Sequence, residues 1–251
     1  MIKVLGLALA AMCALGFSGE TWAADGKRFN LELEVSPVWQ STNNARIPNS
    51  GGTKFSLRDI QGSGPFAGGR VSLSYAPSEK HELRLMAAPL SITKTGELQT
   101  PVFFAGESFA AGPDVQATYR FNSYRLTYRY RIFSGDRWTW KLGVTGKVRD
   151  AKIELDNGAL VAVDDDLGFV PLLHLDGECK LGKDWKFGLN VDGLGAPQGR
   201  ALDISLKALY DISKNLTAGF GYRMLEGGAD VDRVYTFAWL HYATASIAYR
   251  F

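Results

Sequence analysis

From Phe29 onward, apolar and polar residues alternate one for one in stretch after stretch, and no later apolar run is long enough to cross a membrane as a helix. Phe29, Leu31, Leu33, Val35, Pro37 and Trp39 alternate with Asn30, Glu32, Glu34, Ser36 and Gln40. Side chains of a strand point to opposite faces in turn, so this pattern makes one greasy and one charged face. The dyad returns in Tyr124 to Ile132 against Arg125, Thr127, Arg129 and Arg131, and in Trp138 to Val144 against Thr139, Lys141, Thr145 and Lys147. It returns again in Trp185 to Val191, Leu202 to Ala208 and Ala245 to Phe251.

The pattern predicts ten strands, at 29–40, 67–77, 81–93, 115–133, 138–150, 168–181, 185–192, 201–210, 216–225 and 235–251, with eight as the alternative if the first or last hairpin is misread. Short connections (Ser78 to Lys80, Ser134 to Arg137, Gly182 to Asp184, Asp211 to Asn215) interleave with long ones. The long ones run Ser41 to Phe66, Lys94 to Asp114, Ala151 to Leu167, Gly193 to Arg200 and Glu226 to Val234. An even count with alternating turn lengths fits an antiparallel up-and-down barrel. The apolar phase slips between Phe121 and Tyr124 and between Val148 and Ile153, which implies bulges or strand ends that already belong to loops.

Ahead of the strands, Lys3 precedes an apolar run from Val4 to Phe17 and then small residues, the pattern of a Sec-type export signal with cleavage after Ala23. That divides the chain into a signal at 1–23 and one barrel domain at 24–251. Cys13 leaves with the signal, so Cys179 is the lone cysteine of the mature chain and no internal disulfide can form. It falls on an outward strand position as a small apolar residue. A formal charge of +2 excludes the clustered basic excess of a nucleic-acid binder. No cofactor motif is present: Gly62-Ser63-Gly64 lacks the flanking strand and helix of a nucleotide-binding loop.

Alternation alone does not separate a soluble barrel from a membrane barrel, whose apolar face is outside. The rings decide. Tyr75, Tyr130, Trp138, Trp140, Trp185, Tyr210 and Tyr249 sit on the apolar face beside the short turns, the place of an interfacial girdle. The opposite face carries Arg125, Arg129, Arg131, Lys141, Lys147, Asp176, Glu178, Asp203 and Lys207, too many charges for a dry soluble core. A wet or salt-bridged lumen accommodates them.

The ending Ile247-Ala248-Tyr249-Arg250-Phe251 resembles the C-terminal signal of Gram-negative outer-membrane barrels, with Ile247, Tyr249 and Phe251 at its alternate positions. The segments 119–125 and 221–228 loosely resemble small proteobacterial barrels with no assigned role. This resemblance implies a bacterial outer-membrane location, contact with outer-membrane lipids and lipopolysaccharide, and assembly by the barrel assembly machinery. A monomer is expected.

Pairing Leu181 with Trp185 around a tight turn places Glu178 opposite Gly188, Asp176 opposite Asn190 and His174 opposite Asp192. His174 beside Asp192, with Asp203 and Arg149 on neighbouring strands, is the candidate catalytic group, because a carboxylate orients and polarises an imidazole. The favoured reading makes it part of a polar interior, since no serine or cysteine nucleophile falls within reach. Glu178 is expected to offset Arg129, Arg131 and Lys141 in a plug of salt bridges. His241-Tyr242-Ala243 is similar to the histidine segment of outer-membrane lipid A deacylases, but Ala243 stands where those have serine. Asp164, Asp165 and Asp166 fall in an expected outer loop and are the candidate divalent-cation ligands.

These residues favour a non-enzymatic outer-membrane protein, structural or a narrow conduit. A lipid-modifying or lipid-binding enzyme built on His174, Asp192 and Asp203 is the second reading. Adhesion through the loop Lys94 to Asp114 is the third.

Overall fold

The computed structural model describes residues 26–251; the expected export signal at 1–23 lies outside them. In chain order the elements are β1 (Phe29–Arg46), β2 (Phe55–Ser56), the one-turn helix α1 (Leu57–Gln61), β3 (Phe66–Tyr75), β4 (His81–Ala88) and β5 (Ser91–Leu98). There follow β6 (Val102–Phe104), β7 (Glu107–Phe109), β8 (Gly112–Ser134), β9 (Trp138–Asp156), β10 (Val161–Lys180), β11 (Trp185–Ala196), β12 (Gly199–Asp211), β13 (Leu216–Val231) and β14 (Val234–Arg250). Pro89 and Leu90 interrupt one long strand into β4 and β5, both of which pair with β8. Ten antiparallel barrel strands result, closed by β14 on β1 from Asn30↔Arg250 to Arg46↔Tyr235. The eight-strand alternative is excluded.

Closure leaves no sheet edge over most of the wall, which a strand in lipid requires because each unpaired backbone group there costs several kcal/mol. The outward face carries exposed Leu33, Val35, Leu126, Ile132, Leu142, Val144, Phe169 and Leu173. At the turn end, rings gather as expected: Trp138 stacks on Trp140 with centroids 5.6 Å apart, and Trp185 lies 5.0 Å from Tyr210. Trp140 leans across Gly177, where a Cβ would stand 2.4 Å from the indole. Cys179 holds the expected outward position, opposite Trp138 and Phe187, and is covered.

The two expected phase slips are not bulges. β8 and β9 pair without interruption from Gln116↔Asp156 to Arg131↔Lys141, and the register shift lies instead between Arg131 and Phe133. What changes is the solvent outside the wall. Along β9, Leu142, Val144 and Val148 face outward, and the same face then continues as Asp150, Lys152 and Glu154. Its inward face changes the other way, from Lys141, Thr145 and Lys147 to buried Ile153 and Leu155. β8 does likewise, with Val115, Ala117 and Tyr119 buried inside and Arg120 ion-paired to Asp150 at 2.8 Å outside. The lower barrel has its apolar face outward and the upper barrel has it inward.

The inward apolar face of the upper barrel is filled by its own loops. Phe55, Leu57 and Ile60 from the first long connection pack with Val102, Phe104 and Phe109 of the β6–β7 hairpin in a dry cluster. Phe55 meets Phe104 edge-on at 5.4 Å. Backbone bonds lock the two connections: Thr53 N–H donates to Phe103 O at 3.0 Å, and Ala105 N–H donates to Ile47 O at 2.9 Å. Gln61 inside this lid donates to Ile92 O and Ala117 O at 3.0 Å each. Of the segment expected as an outer loop from Lys94 to Asp114, the ends belong to wall strands β5 and β8, and the β6–β7 hairpin between them is half of a packed lid.

Candidate functional site

Inward-facing positions bring their charges into stacked levels. Nearest the turns, Arg129 and Lys141 share Glu82 at 3.0 and 2.6 Å, with Asp176 at 3.7 and 3.8 Å. Glu82 fills the place expected of Glu178, which points into the lumen more peripherally and, among the described residues, pairs only with Lys186, at 4.0 Å. One residue pair along a strand decides this, because Glu82 sits beside Arg129 in register and Glu178 sits beside Thr139. Arg131 lies at the rim, 3.9 Å from Glu79.

One level up, the buried Arg125 guanidinium donates to Asp192 Oδ2 at 2.8 Å and to Asp203 Oδ2 at 2.6 Å. Asp203 also receives Arg223 Nε and Nη2, both at 2.7 Å. Asp192 takes Thr145 Oγ1 at 2.8 Å and lies 2.7 Å from His174 Nδ1. Beside them Lys207 joins Glu32 and Glu34 at 2.6 and 2.5 Å, and Arg70 pairs with Glu34 at 2.8 Å. β8 and the β11–β12 pair stand three and four places apart in the strand order, so Arg125 ties the wall across the lumen.

Of the candidate catalytic residues, the structure joins His174 only to Asp192. The register is the expected one, His174↔Asp192. Asp203 is committed to Arg125 and Arg223, and Arg149 to Asp166. His174 Nε2 faces Asn190 Nδ2 at 3.5 Å, with the imidazole fully buried. Reading each polar face to its end would have added Glu82, Arg84 and Arg223, which occupy alternate positions beside Leu83, Leu85 and Tyr222.

The acidic run lies within β10 and not in a loop. Alternation turns Asp165 outward, while Asp164 and Asp166 turn inward and meet Arg233 at 3.5 and 3.6 Å. Among the described residues, no group of three acidic, histidine or cysteine side chains is placed to hold a metal ion.

Above the charged level, and beside the lid, a cavity of about 390 Å³ opens upward. Arg125, Lys147, Asp192 and Asp203 form its floor; Tyr119, Phe121, Val170, Leu172, Leu194 and Leu225 are among its walls. The ladder between β10 and β11 is short, because Pro171 has no N–H to continue it and β11 ends at Ala196. β10 and β11 pair only from Leu173↔Gly193 to Lys180↔Lys186, whereas β10 pairs with β9 up to Val161.

No protein-family model matches the sequence, and no curated protein does. Among solved structures, the outer membrane protease OmpT from Escherichia coli is similar with a TM-score of 0.56 and 11% identity, over 93% of this chain and 100% of that one. The fold is that of a Gram-negative outer-membrane β-barrel. Outer membrane protein AlkL matches this outer-membrane barrel with a TM-score of 0.46 and 11% identity, over 94% of this chain and 95% of that one. Neisserial surface protein A matches with 0.37 and 11%, over 89% and 97%. At these identities the likeness extends to the fold alone. In outer-membrane barrels the short-turn end is periplasmic; in this barrel the lid and the cavity lie at the opposite end from the short turns.

Proposed function

We propose that this protein is a closed, non-conducting outer-membrane barrel that holds a binding cavity toward the cell exterior. The observation that carries the reading is the Arg125 bridge to Asp192 and Asp203, with all three groups buried in the middle of the lumen. A guanidinium bound by two carboxylates and backed by Arg223 occupies the middle of the lumen, and each member is costly to move without its partners. Above this floor a concave space of a few hundred Å³ with apolar walls and a few convergent polar groups has the form of a small-molecule site. The burial of His174, with Nδ1 held by Asp192 and Nε2 facing Asn190, supports a binding role over a catalytic one, the imidazole being a strut on Asp192. Export through the segment at 1–23 and action as a monomer complete the proposal.

The test is single-channel recording of purified protein in planar bilayers. Wild type is expected to give no conductance steps, while the paired change Arg125→Ala with Arg223→Ala opens a leak. Regular steps from wild type would overturn the closed-barrel reading.

A further inference from the structure

The carboxylates around the cavity are already shared among arginines. Asp203 is held by Arg125 and Arg223, and Asp192 by Arg125, with Arg84 at 3.9 Å. Toward the mouth, Asp166 meets Arg149 and Arg233, and Asp164 meets Arg233 at 3.5 Å. Lys147 is left over. It stands in register between Arg125 of β8 and Val170 of β10, faces the lumen and is only 4% exposed. Among the described residues its ammonium forms no ion pair and no hydrogen bond, and it lies 4.7 Å from the centre of the Phe121 ring. A ring face offsets only part of the cost of burying a charge, so this cation calls for an anion.

Lys147 lines the cavity, and what surrounds it there is apolar: Phe121 and Val170 on the neighbouring strands, with Leu172, Leu194 and Leu225 further round the wall. Leu194 points into the barrel by alternation from buried Asp192, yet it is 40% exposed, so part of this apolar wall has nothing packed on it. One free cation and an uncovered apolar wall share a single concave space.

We propose that the cavity takes a small organic monocarboxylate, one carboxylate on a compact apolar body, through its mouth beside the lid. The carboxylate sits on Lys147, and the body covers Val170, Leu194 and Leu225. A single uncommitted cation selects a single negative charge. A second carboxylate would meet only arginines that Asp164, Asp166, Asp192 and Asp203 already hold, and would stand close to those acids. This names the ligand class of the binding cavity and rests on that reading.

The experiment titrates the full barrel in phosphatidylcholine nanodiscs at neutral pH with para-trifluoromethylbenzoate, its neutral carboxamide, and the dianion trifluoromethylisophthalate. Binding is read from the fluorine NMR line width, with empty nanodiscs as the blank for partition into lipid. The benzoate is expected to bind about ten-fold more tightly than the carboxamide, the difference a charge-assisted contact makes, and more tightly than the dianion. Lys147→Met should erase the preference for the acid, and Lys147→Arg should keep it. Leu194→Trp, which fills the cavity, should weaken acid and amide together while the barrel keeps its heat-modifiable gel mobility. Acid and amide bound equally by wild type, a dianion bound as tightly as the benzoate, or a preference that survives Lys147→Met would each overturn the monocarboxylate assignment and leave the binding cavity standing. An intact barrel that holds neither acid nor amide, or whose binding ignores Leu194→Trp, would overturn the cavity reading as well.

Discussion

Phe29 and Phe251 exchange two backbone hydrogen bonds of 2.9 Å, so the last residue of the chain closes the barrel on the first residue of its first strand. Their rings also stack at 5.6 Å, beside Tyr249. Deleting Phe251 removes both bonds and the ring at the turn end of the β1–β14 seam, leaving the end of β1 unpaired at the membrane interface. Outer-membrane yield on cell fractionation should fall for the deletion and for Phe251→Ala, and less for Phe251→Tyr, which keeps an interfacial ring. Normal yield from the deletion would show that closure does not depend on this residue.

Glu82 and Glu178 give opposite expectations despite both facing the lumen near the turns. Glu82→Ala leaves Arg129 and Lys141 short of their nearest carboxylate, and breaking a buried pair costs about 3–5 kcal/mol. Glu178→Ala loses one long contact at a partly exposed side chain, a matter of about 0–1 kcal/mol. Urea unfolding followed by gel mobility should therefore place Glu82→Ala well below wild type and Glu178→Ala close to it. Equal loss would contradict the pairing described here.

The reversal of faces along β9 is testable by placing arginine at successive outward positions. Val144→Arg puts a cation in the apolar band and should cost about 2–4 kcal/mol, whereas Glu154→Arg, above the band, should be nearly silent. Inward, Ile153→Arg should be costly because that position is buried in the upper apolar cluster. A uniform cost along the outward face would mean that the membrane extends over the whole strand.

Phe104 is fully buried at the centre of the lid. Phe104→Ala should remove about 3–5 kcal/mol from lid packing and expose the chain between Ile47 and Pro65 to protease. The barrel below rests on different contacts, so its heat-modifiable mobility should persist. Loss of the barrel together with the lid would show the two to be one cooperative unit.

Strand number, the faces of the lower barrel and the His174↔Asp192 register were all legible in the sequence, because alternation has a fixed period and a tight turn fixes pairing. The strand ends were not. Beyond Val148 and above Ser123 the alternation continues but its sign reverses, and a reader following apolar residues sees a slip where the chain has merely left the membrane. The choice of Glu82 over Glu178 and the union of two long connections into a lid were decided only by the closed barrel. Each depends on distances across the lumen or around the wall, between residues that the alternation of any single strand cannot relate.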